Sequence, residues 1–363
     1  MSAREARFVT PEAQVITNKR FSIGGTLLKT PWTRRHTPYA KTPKSRRIAG
    51  PEKSAALDVS LSSAERRDDL AQEEETLSGL VNKTWRVYQM TPLYNFKYGK
   101  LKEYSRSLSK YLQAQIQKGI ELDPNAEVSS DVKITEVKGL NMAEEDNVAL
   151  KVTVRSKQKA ANGEKKVLLT MLLCCTDALR ECKPTCPDSF TILPLMLSNG
   201  NMTMGNHINN WFKTSFDCSV QKMVFNSIEL AWMVSMWASL VPERSAKSVE
   251  LTYKVPDEVE GLDRITYTID PHDCKAIWES VHDESKDMAE ADEVSEFVLS
   301  LEKHFDVVFK THLSSLFLTR VGTSVAYVST EGKLKLFTKK HIHKVLRYLT
   351  ELALEKIQAG TGT

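Results

Sequence analysis

Basic side chains form three clusters in this 363-residue sequence. Of all its residues, these have the types and spacing best suited to binding a charged ligand. The first cluster, called here the helix stripe, consists of Lys102, Arg106 and Lys110, which recur at every fourth position. The second, the hairpin cluster, is opposed only by Glu164 and consists of Arg155, Lys157, Lys159, Lys165 and Lys166. The third, the C-terminal cluster, has no acid between Glu331 and Glu351 and consists of Lys333, Lys335, Lys339, Lys340, Lys344 and Arg347.

Clustered lysine and arginine side chains can bind the phosphates of a nucleic acid, which gives affinity without base specificity. A single basic cluster is more often a solvated face than a binding site. Three clusters together with a basic N-terminal segment leave both interpretations open, a phosphate-binding surface and a solvated one. Aromatic residues do not alternate with these charges, which favours contact with a duplex backbone over stacking on single strands.

The sequence contains no recognisable pattern of catalytic residues. It has no glycine-rich phosphate loop after a strand and no GxSxG, HExxH or EF-hand spacing. The pair Cys182 and Cys186 lacks both a second cysteine pair and histidines at zinc-ligand spacing, so we interpret all six cysteines as structural. We expect no catalytic residue, metal, cofactor or small-molecule substrate. An enzyme that uses Cys174, Cys175, Cys182 or Cys218 is an alternative without positive support.

The net charge of +4 is unevenly distributed along the chain. Residues 1–50 carry 11 basic and 2 acidic side chains, residues 51–80 carry 3 and 8, and residues 81–363 carry 36 of each. The net basicity therefore belongs to the N-terminal segment. Residues 81–363 are neutral as a whole, so the basic clusters are local features of that part of the chain.

Residues 1–80 show no hydrophobic periodicity, so we expect a disordered basic tail with an acidic end. Lys44, Arg46 and Arg47 are either a nuclear-import patch or part of a solvated tail. Phosphorylation by proline-directed kinases would oppose the basic charge, and its candidate sites are Thr10, Thr30, Thr37 and Thr42, each followed by proline. No apolar run follows Met1, so we expect no secretory signal.

Residues 81–363 are predicted to form one α+β globular domain. The helix stripe lies on a predicted helix at Lys100–Lys118, because Leu108 and Leu112 recur at helical spacing on another face. Alternating or continuous apolar residues predict strands at Asp131–Leu140, Asn147–Lys157, Lys165–Cys175 and Phe190–Leu197. The hairpin cluster therefore lies on the second and third of these strands and on the turn between them.

Helices are predicted to follow these strands. They lie at Asn206–Phe216, Val220–Ser239, after Asp270-Pro271, and at Ala289–Thr311. The apolar stretch Met223–Val241 contains Glu229 and precedes Pro242, so we interpret it as a buried helix and expect no membrane association. The order of elements predicts an α+β fold in which helices cover a curved, mostly antiparallel mixed sheet.

The C-terminal region, residues 313–358, is predicted to bind a second chain. Strands are expected at Leu313–Thr319, Val321–Val328 and Lys333–Phe337, followed by a helix at Lys339–Gln358. An edge strand left open invites pairing with another chain. The residues predicted to contact that chain are Val321, Thr323, Val325, Tyr327, Leu334 and Leu336. The alternative is an internal hairpin that the last helix covers.

Six stretches of the sequence resemble the centromere protein L family in order and in spacing. They are Thr91–Ser105, Trp211–Cys218, Leu230–Trp237, Ile269–His282, Thr323–Ala326 and Tyr348–Ala353, within a resemblance that covers about residues 85–354. The resemblance implies a curved mixed sheet with helices, which agrees with the fold class predicted above.

The resemblance also implies a function. Members of this family are non-enzymatic subunits of the inner kinetochore, in the nucleus. They form a heterodimer with centromere protein N within the constitutive centromere-associated network, contact centromere protein C and other subunits, and face the DNA of centromeric nucleosomes. They thereby support kinetochore assembly and chromosome segregation in mitosis. A free-standing homodimeric DNA-binding protein is the alternative.

Overall fold

A computed structural model describes residues 13–16, 45–47, 74–117, 130–143, 146–159, 165–177, 189–241, 247–283 and 288–361. The predicted phosphorylation sites Thr10, Thr30, Thr37 and Thr42 lie outside these residues, as do Cys182 and Cys186. The predicted α+β class is confirmed, with a mostly antiparallel open sheet and covering helices.

The described strands are numbered in chain order. They are β1 (Ala13–Ile16), β2 (Ser45–Arg47), β3 (Thr84–Met90), β4 (Leu93–Tyr94), β5 (Ser130–Val137), β6 (Ala149–Lys159), β7 (Lys165–Cys174), β8 (Phe190–Thr191), β9 (Leu195–Gly200), β10 (Val220–Lys222), β11 (Val249–Lys254), β12 (Arg264–Ile269), β13 (Met288–Glu290), β14 (Phe317–Gly322), β15 (Ala326–Ser329) and β16 (Lys333–Leu336).

Longer helices alternate with these strands. They are α1 (Leu101–Gln117), α2 (Met202–Phe216), α3 (Ser227–Ala238), α4 (Pro271–Val281), α5 (Ala291–Phe309) and α6 (Ile342–Thr361). Residues 74–80 are also helical, and short 3₁₀ helices occur at Tyr98–Lys100 and Leu313–Ser315. The chain divides into two compact units, one formed by residues 1–55 and 225–330 and the other by residues 56–224 and 331–363.

In the second unit, six strands form an antiparallel sheet in the order β16-β3-β9-β7-β6-β5, and β10 also pairs with β3. Helices α1 and α2 pack on one face of this sheet, where Leu108 and Leu112 are fully buried. The alternation predicted for the second strand is confirmed, because Val152 and Val154 are buried whereas Lys151 is exposed. One face of β6 therefore belongs to the core, and the other carries charge.

In the first unit, five strands form an antiparallel sheet in the order β1-β12-β11-β14-β15. Helix α3 packs on β14, and α4 packs on α5 through the buried rings of Trp278 and Phe297, whose centroids lie 5.4 Å apart. Asp270 caps α4 by accepting a hydrogen bond of 2.8 Å from the amide of His272, which confirms the predicted start of that helix.

Two segments of the N-terminal region are strands, where the sequence predicted no regular structure. β1 pairs with β12, and β2 pairs with β13, both antiparallel. Their short lengths give little periodic signal. The remainder of residues 1–73 lies outside the described residues.

Two predicted elements are each divided into two. The predicted helix at Val220–Ser239 is strand β10 followed by helix α3, which begins only at Ser227. A capping box fixes this start: the side chain of Asn226 accepts from the amide of Glu229 at 2.8 Å, and Glu229 accepts from the amide of Asn226 at 2.9 Å. The predicted strand at Phe190–Leu197 is divided into β8 and β9 around Pro194, which has no amide hydrogen to donate.

The predicted strands after residue 312 are also corrected. Leu313–Ser315 is a 3₁₀ helix, and the strand begins at Phe317. The predicted strand Val321–Val328 was wrong, since the chain turns between β14 and β15. The hydroxyl of Thr323 accepts hydrogen bonds from the amides of Val325 and Ala326, both at 3.2 Å, and so stabilises this turn.

Gly332 occupies a position in the second unit that excludes a side chain. Its φ is +72°, and a Cβ there would collide with the carbonyl oxygen of Met223, while its own carbonyl accepts from the amide of Val87 at 2.9 Å. We predict that Gly332→Ala lowers the free energy of unfolding by about 1–3 kcal/mol.

Gly99 provides the matched control, because a Cβ added there would have no atom within 4 Å of it and the φ of Gly99 is not positive. Denaturant titration of Gly99→Ala is expected to show a change within about 0.5 kcal/mol. Equal stabilities of the two variants would contradict the steric argument.

Candidate nucleic-acid interface

The helix stripe is a free basic surface in the second unit. Helix α1 directs Leu108 and Leu112 into the core, so Lys102, Arg106 and Lys110 are exposed on the other side. Within the part of the chain that the structure describes, none of the three side chains forms an ion pair. The sequence prediction of a solvent-facing stripe is therefore confirmed, while its ligand stays a prediction.

The described side chains of the hairpin cluster are exposed on β6 and β7, near the turn that joins these strands. Arg155 and Lys166 are exposed, and Lys165 forms an ion pair with Asp131 on β5 at 3.0 Å. The side chains of Lys157 and Lys159 lie outside the described residues, although their backbone continues β6. Two of the five predicted cations are thus exposed without a described ionic partner, and a third shares its charge with an acid.

Two further lysines extend the hairpin cluster, and the sequence prediction of the cluster included neither. Lys151 lies two and four residues before Thr153 and Arg155, and Lys133 is directly opposite Thr153 on β5. Side chains two residues apart on one strand and those directly opposite on its neighbour share a face of the sheet. Lys133, Lys151 and Arg155 therefore share one exposed face, and the alternation in β6 was the signal that could have identified Lys151.

The C-terminal cluster is largely paired with acids. Lys333 lies 2.6 Å from Glu331, and Lys339 lies 3.3 Å from Glu74. Lys335 is half-buried, with its ammonium 5.8 Å from the centroid of the Phe337 ring. Lys340 is exposed, whereas Lys344 is half-buried. The absence of acids between residues 331 and 351 was misleading, because these cations pair with the two flanking acids and with two distant ones, Glu74 and Asp177.

Arg347 belongs to a structural network rather than to an open surface. Its guanidinium lies 3.1 Å from Asp177 and 3.2 Å from Glu351, and its side chain is only 20% exposed. The buried carboxylate of Asp146 accepts from the amide of Asp177 at 2.8 Å and thereby fixes the loop that carries this acid. The network joins α6 to the end of β7.

The residues predicted to contact a partner do not lie on an open strand. Val321, Thr323, Val325, Leu334 and Leu336 are each at most 2% exposed, and Tyr327 is half-buried. β14 is paired on both sides, with β11 and with β15, and β16 is paired with β3. The premise of an open edge was therefore wrong, while binding of a partner by this region stays untested.

Three of the four described cysteines are poorly suited to nucleophilic chemistry. Desolvation by burial raises the pKa of Cys174 to about 12, of Cys218 to about 11 and of Cys274 to about 12. A nucleophilic cysteine needs the thiolate form near neutral pH, and these thiols are held protonated. Among the described residues, no three potential metal-ligating side chains are grouped together. In the same part of the chain, every helix is too short or too polar to span a bilayer.

The chain is thus an α+β protein with exposed basic side chains, and comparison with known proteins identifies its family. The model of the family described as centromere protein L matches residues 79–354. This chain belongs to the centromere protein L family.

Relatives from several vertebrates are similar over most of their length. Centromere protein L of Homo sapiens is 37% identical over 290 residues, which cover 79% of this chain and 83% of the relative. The Bos taurus protein of the same name is 34% identical over 365 residues, which cover 99% and 100%. That of Xenopus tropicalis is 33% identical over 328 residues, which cover 90% and 89%.

Because Arg347 is held by two acids, we predict that it contributes to stability. Arg347→Gln should lower the free energy of unfolding by about 1–3 kcal/mol, since it leaves Asp177 partly buried without its cation. Exposed Lys340 on the same cluster is the control, and Lys340→Gln should change stability by less than about 0.5 kcal/mol. Thermal and urea unfolding measure both. If the Arg347→Gln protein were as stable as the wild type, the ion pairs of Arg347 would not contribute to stability. Arg347 would then again be a candidate for the basic surface.

Proposed function

We propose that this chain is a non-enzymatic subunit of the inner kinetochore, located at centromeres in the nucleus, that forms a heterodimer with centromere protein N. The observation that carries this proposal is membership of the centromere protein L family across residues 79–354. The raised thiol pKa values of Cys174, Cys218 and Cys274 support a binding role over cysteine-dependent catalysis. Centromere protein C, other subunits of the constitutive centromere-associated network and centromeric nucleosomes complete the proposed set of partners.

The proposed heterodimer can be tested by purification. Coexpression of the full chain with centromere protein N should give a complex of one copy of each, measured by light scattering after size exclusion. Affinity purification from nuclei should recover the same partner together with centromere protein C. A chain that elutes as a homodimer and does not bind centromere protein N would favour the alternative, a free-standing homodimeric DNA-binding protein.

We further propose that the hairpin cluster contacts the phosphate backbone of centromeric DNA. Support comes from its geometry, since Lys133, Lys151 and Arg155 share an exposed sheet face and Lys166 is exposed on the neighbouring strand. An open face with cations on adjacent strands can contact successive phosphates. The C-terminal cluster is a weaker candidate, because three of its members are paired with acids.

Charge reversal tests this contact. Arg155→Glu with Lys166→Glu should weaken binding of duplex DNA by the heterodimer and reduce the slope of log affinity against log salt by about one unit per lost phosphate contact. Lys213 and Lys303 are exposed on helices α2 and α5, so their double reversal to Glu is a control with the same change in net charge. Fluorescence anisotropy over a salt series measures both. Equal slopes in the two double variants would make the hairpin cluster a solvated surface.

A further inference from the structure

Strand β2 places part of the basic N-terminal segment within the first unit. Its three residues pair antiparallel with the three residues of β13, and Arg46 is directly opposite Ala289. Lys44, Arg46 and Arg47, called here the basic patch, are from sequence alone either a nuclear-import patch or part of a solvated tail. The pairing places two of these three residues in a strand, so their backbone is bound to the protein itself.

The carboxylate of Glu293 holds β13 in place. It accepts a hydrogen bond from the amide of Glu290 at 2.8 Å and another from the amide of Asp283 at 3.3 Å. It also lies 3.2 Å from Nδ1 of His282, at the end of α4. One side chain in the first turn of α5 thus connects both ends of the segment that contains β13, and none of these contacts involves β2.

The same hydrogen bonds show which backbone groups face β2. The amide of Glu290 donates to Glu293 and therefore points away from β2. Backbone groups alternate in direction along an antiparallel strand, so the amide of Ala289 points toward β2, where Arg46 is directly opposite. The pairing of the two strands therefore depends on the backbone of Ala289 and Arg46.

The two paired segments carry opposite charge. Residues 41–47 contain four basic side chains and no acid, whereas residues 283–296, which include β13, contain seven acids and one lysine. Opposite charge favours the encounter of two segments and selects which of them pair. Glu290 and Asp292 are exposed, so salt screens part of this attraction.

From this pairing we propose that β13 holds the basic patch in the first unit and thereby closes it to nuclear import receptors, which bind basic segments in extended form. A segment that is paired with a strand of its own chain cannot enter a receptor groove at the same time. The choice of receptor rests on the proposed nuclear location, whereas the pairing itself does not.

The strength of this closure follows from the length of the strands. A ribbon of two short strands is only marginally stable, so the paired state is in equilibrium with an open one. A patch that is paired for about nine-tenths of the time binds its receptor about tenfold more weakly than a free patch does. Changes that prevent pairing should therefore strengthen receptor binding by about this factor.

Trypsin measures how often the patch is open, because it cleaves a basic segment only in an extended and unpaired form. Ala289→Pro removes the amide that points toward β2, so we expect cleavage of the full chain after Arg46 and Arg47 to be about tenfold faster than in the wild type. Ala291→Pro is the matched control. Ala291 is the first residue of α5, where proline is favoured, so this variant should change the rate by less than about twofold. Mass spectrometry of a digestion series gives the rate at each site.

A second variant changes only the other strand, because Ala289 is fully buried and its replacement also affects the core. Arg46→Pro removes a backbone donor from β2 and should speed cleavage after Arg47 to the same extent. Raising the salt concentration from about 0.05 M to about 0.5 M should speed this cleavage in the wild type but not in Ala289→Pro, in which the patch is already open.

Importin α is the probe for the receptor. Immobilised importin α should bind the full-length Ala289→Pro protein about tenfold more tightly than the wild type. This difference should disappear when Lys44→Gln, Arg46→Gln and Arg47→Gln are introduced together into both proteins, because the patch is then no longer basic.

The proposal fails on any of three results. Equal cleavage rates in the wild type and in both strand variants would show that the patch is open in the wild type. Cleavage of Ala291→Pro as fast as that of Ala289→Pro would assign the effect to loosening of α5. Faster cleavage of the strand variants without tighter binding of importin α would leave the pairing intact as a structural feature and exclude the import receptor as its competitor.

Discussion

The packing of α1 against one face of β5, β6 and β7 is the constraint on which the surface chemistry of the second unit depends. Leu108 and Leu112 cover the apolar face, where Val152 and Val154 are fully buried. Since strand side chains alternate, burying one face obliges Lys151 and its neighbours to face solvent. The same packing directs the helix stripe outward. One hydrophobic contact thus exposes both the basic sheet face and the helix stripe.

A second constraint comes from buried carboxylates near the end of β7. Asp146 satisfies three backbone amides, those of Met142, Ala143 and Asp177, at 2.8 to 3.0 Å. Asp177 is thereby fixed in a left-handed conformation, with φ of 53°, and its carboxylate is available to Arg347. A carboxylate that accepts from three backbone amides holds the segments that carry them in one arrangement. One basic side chain of α6, that of Arg347, thereby attaches the helix to the sheet.

Local patterns in the sequence predicted the elements that have a strong period. Helix α1 and strand β6 were identified with boundaries in error by one or two residues, because their apolar residues recur at 3.6 and at 2. The predicted helix at Val220–Ser239 failed where local hydrogen bonding overrides hydrophobicity, since Asn226 and Glu229 start the helix at Ser227. The turn at Thr323 was missed for the same reason, as its small and apolar residues resemble a strand.

The candidate site was predictable only where its charges are neighbours in sequence. The helix stripe follows from spacing alone, because residues four apart share a helix face. The ion pairing of the C-terminal cluster does not follow from spacing, since the partner of Lys339 is Glu74 and that of Arg347 is Asp177. Such pairings arise from tertiary structure and leave no trace in a local window.

The division of the chain into two discontinuous units affects the order in which the protein can fold during synthesis. The first unit is inserted between residues 224 and 331 of the second, and its sheet is completed by β1 from the N-terminal region. The second unit needs β16, which pairs with β3, and α6, which contacts β3 and β9. These elements leave the ribosome last, so the part of β3 that pairs with β16, Thr84–Arg86, stays unpaired on that side while most of the chain is translated. Contacts of such large sequence separation form slowly, and an unpaired strand edge in a nascent chain is a site at which wrong pairing can begin.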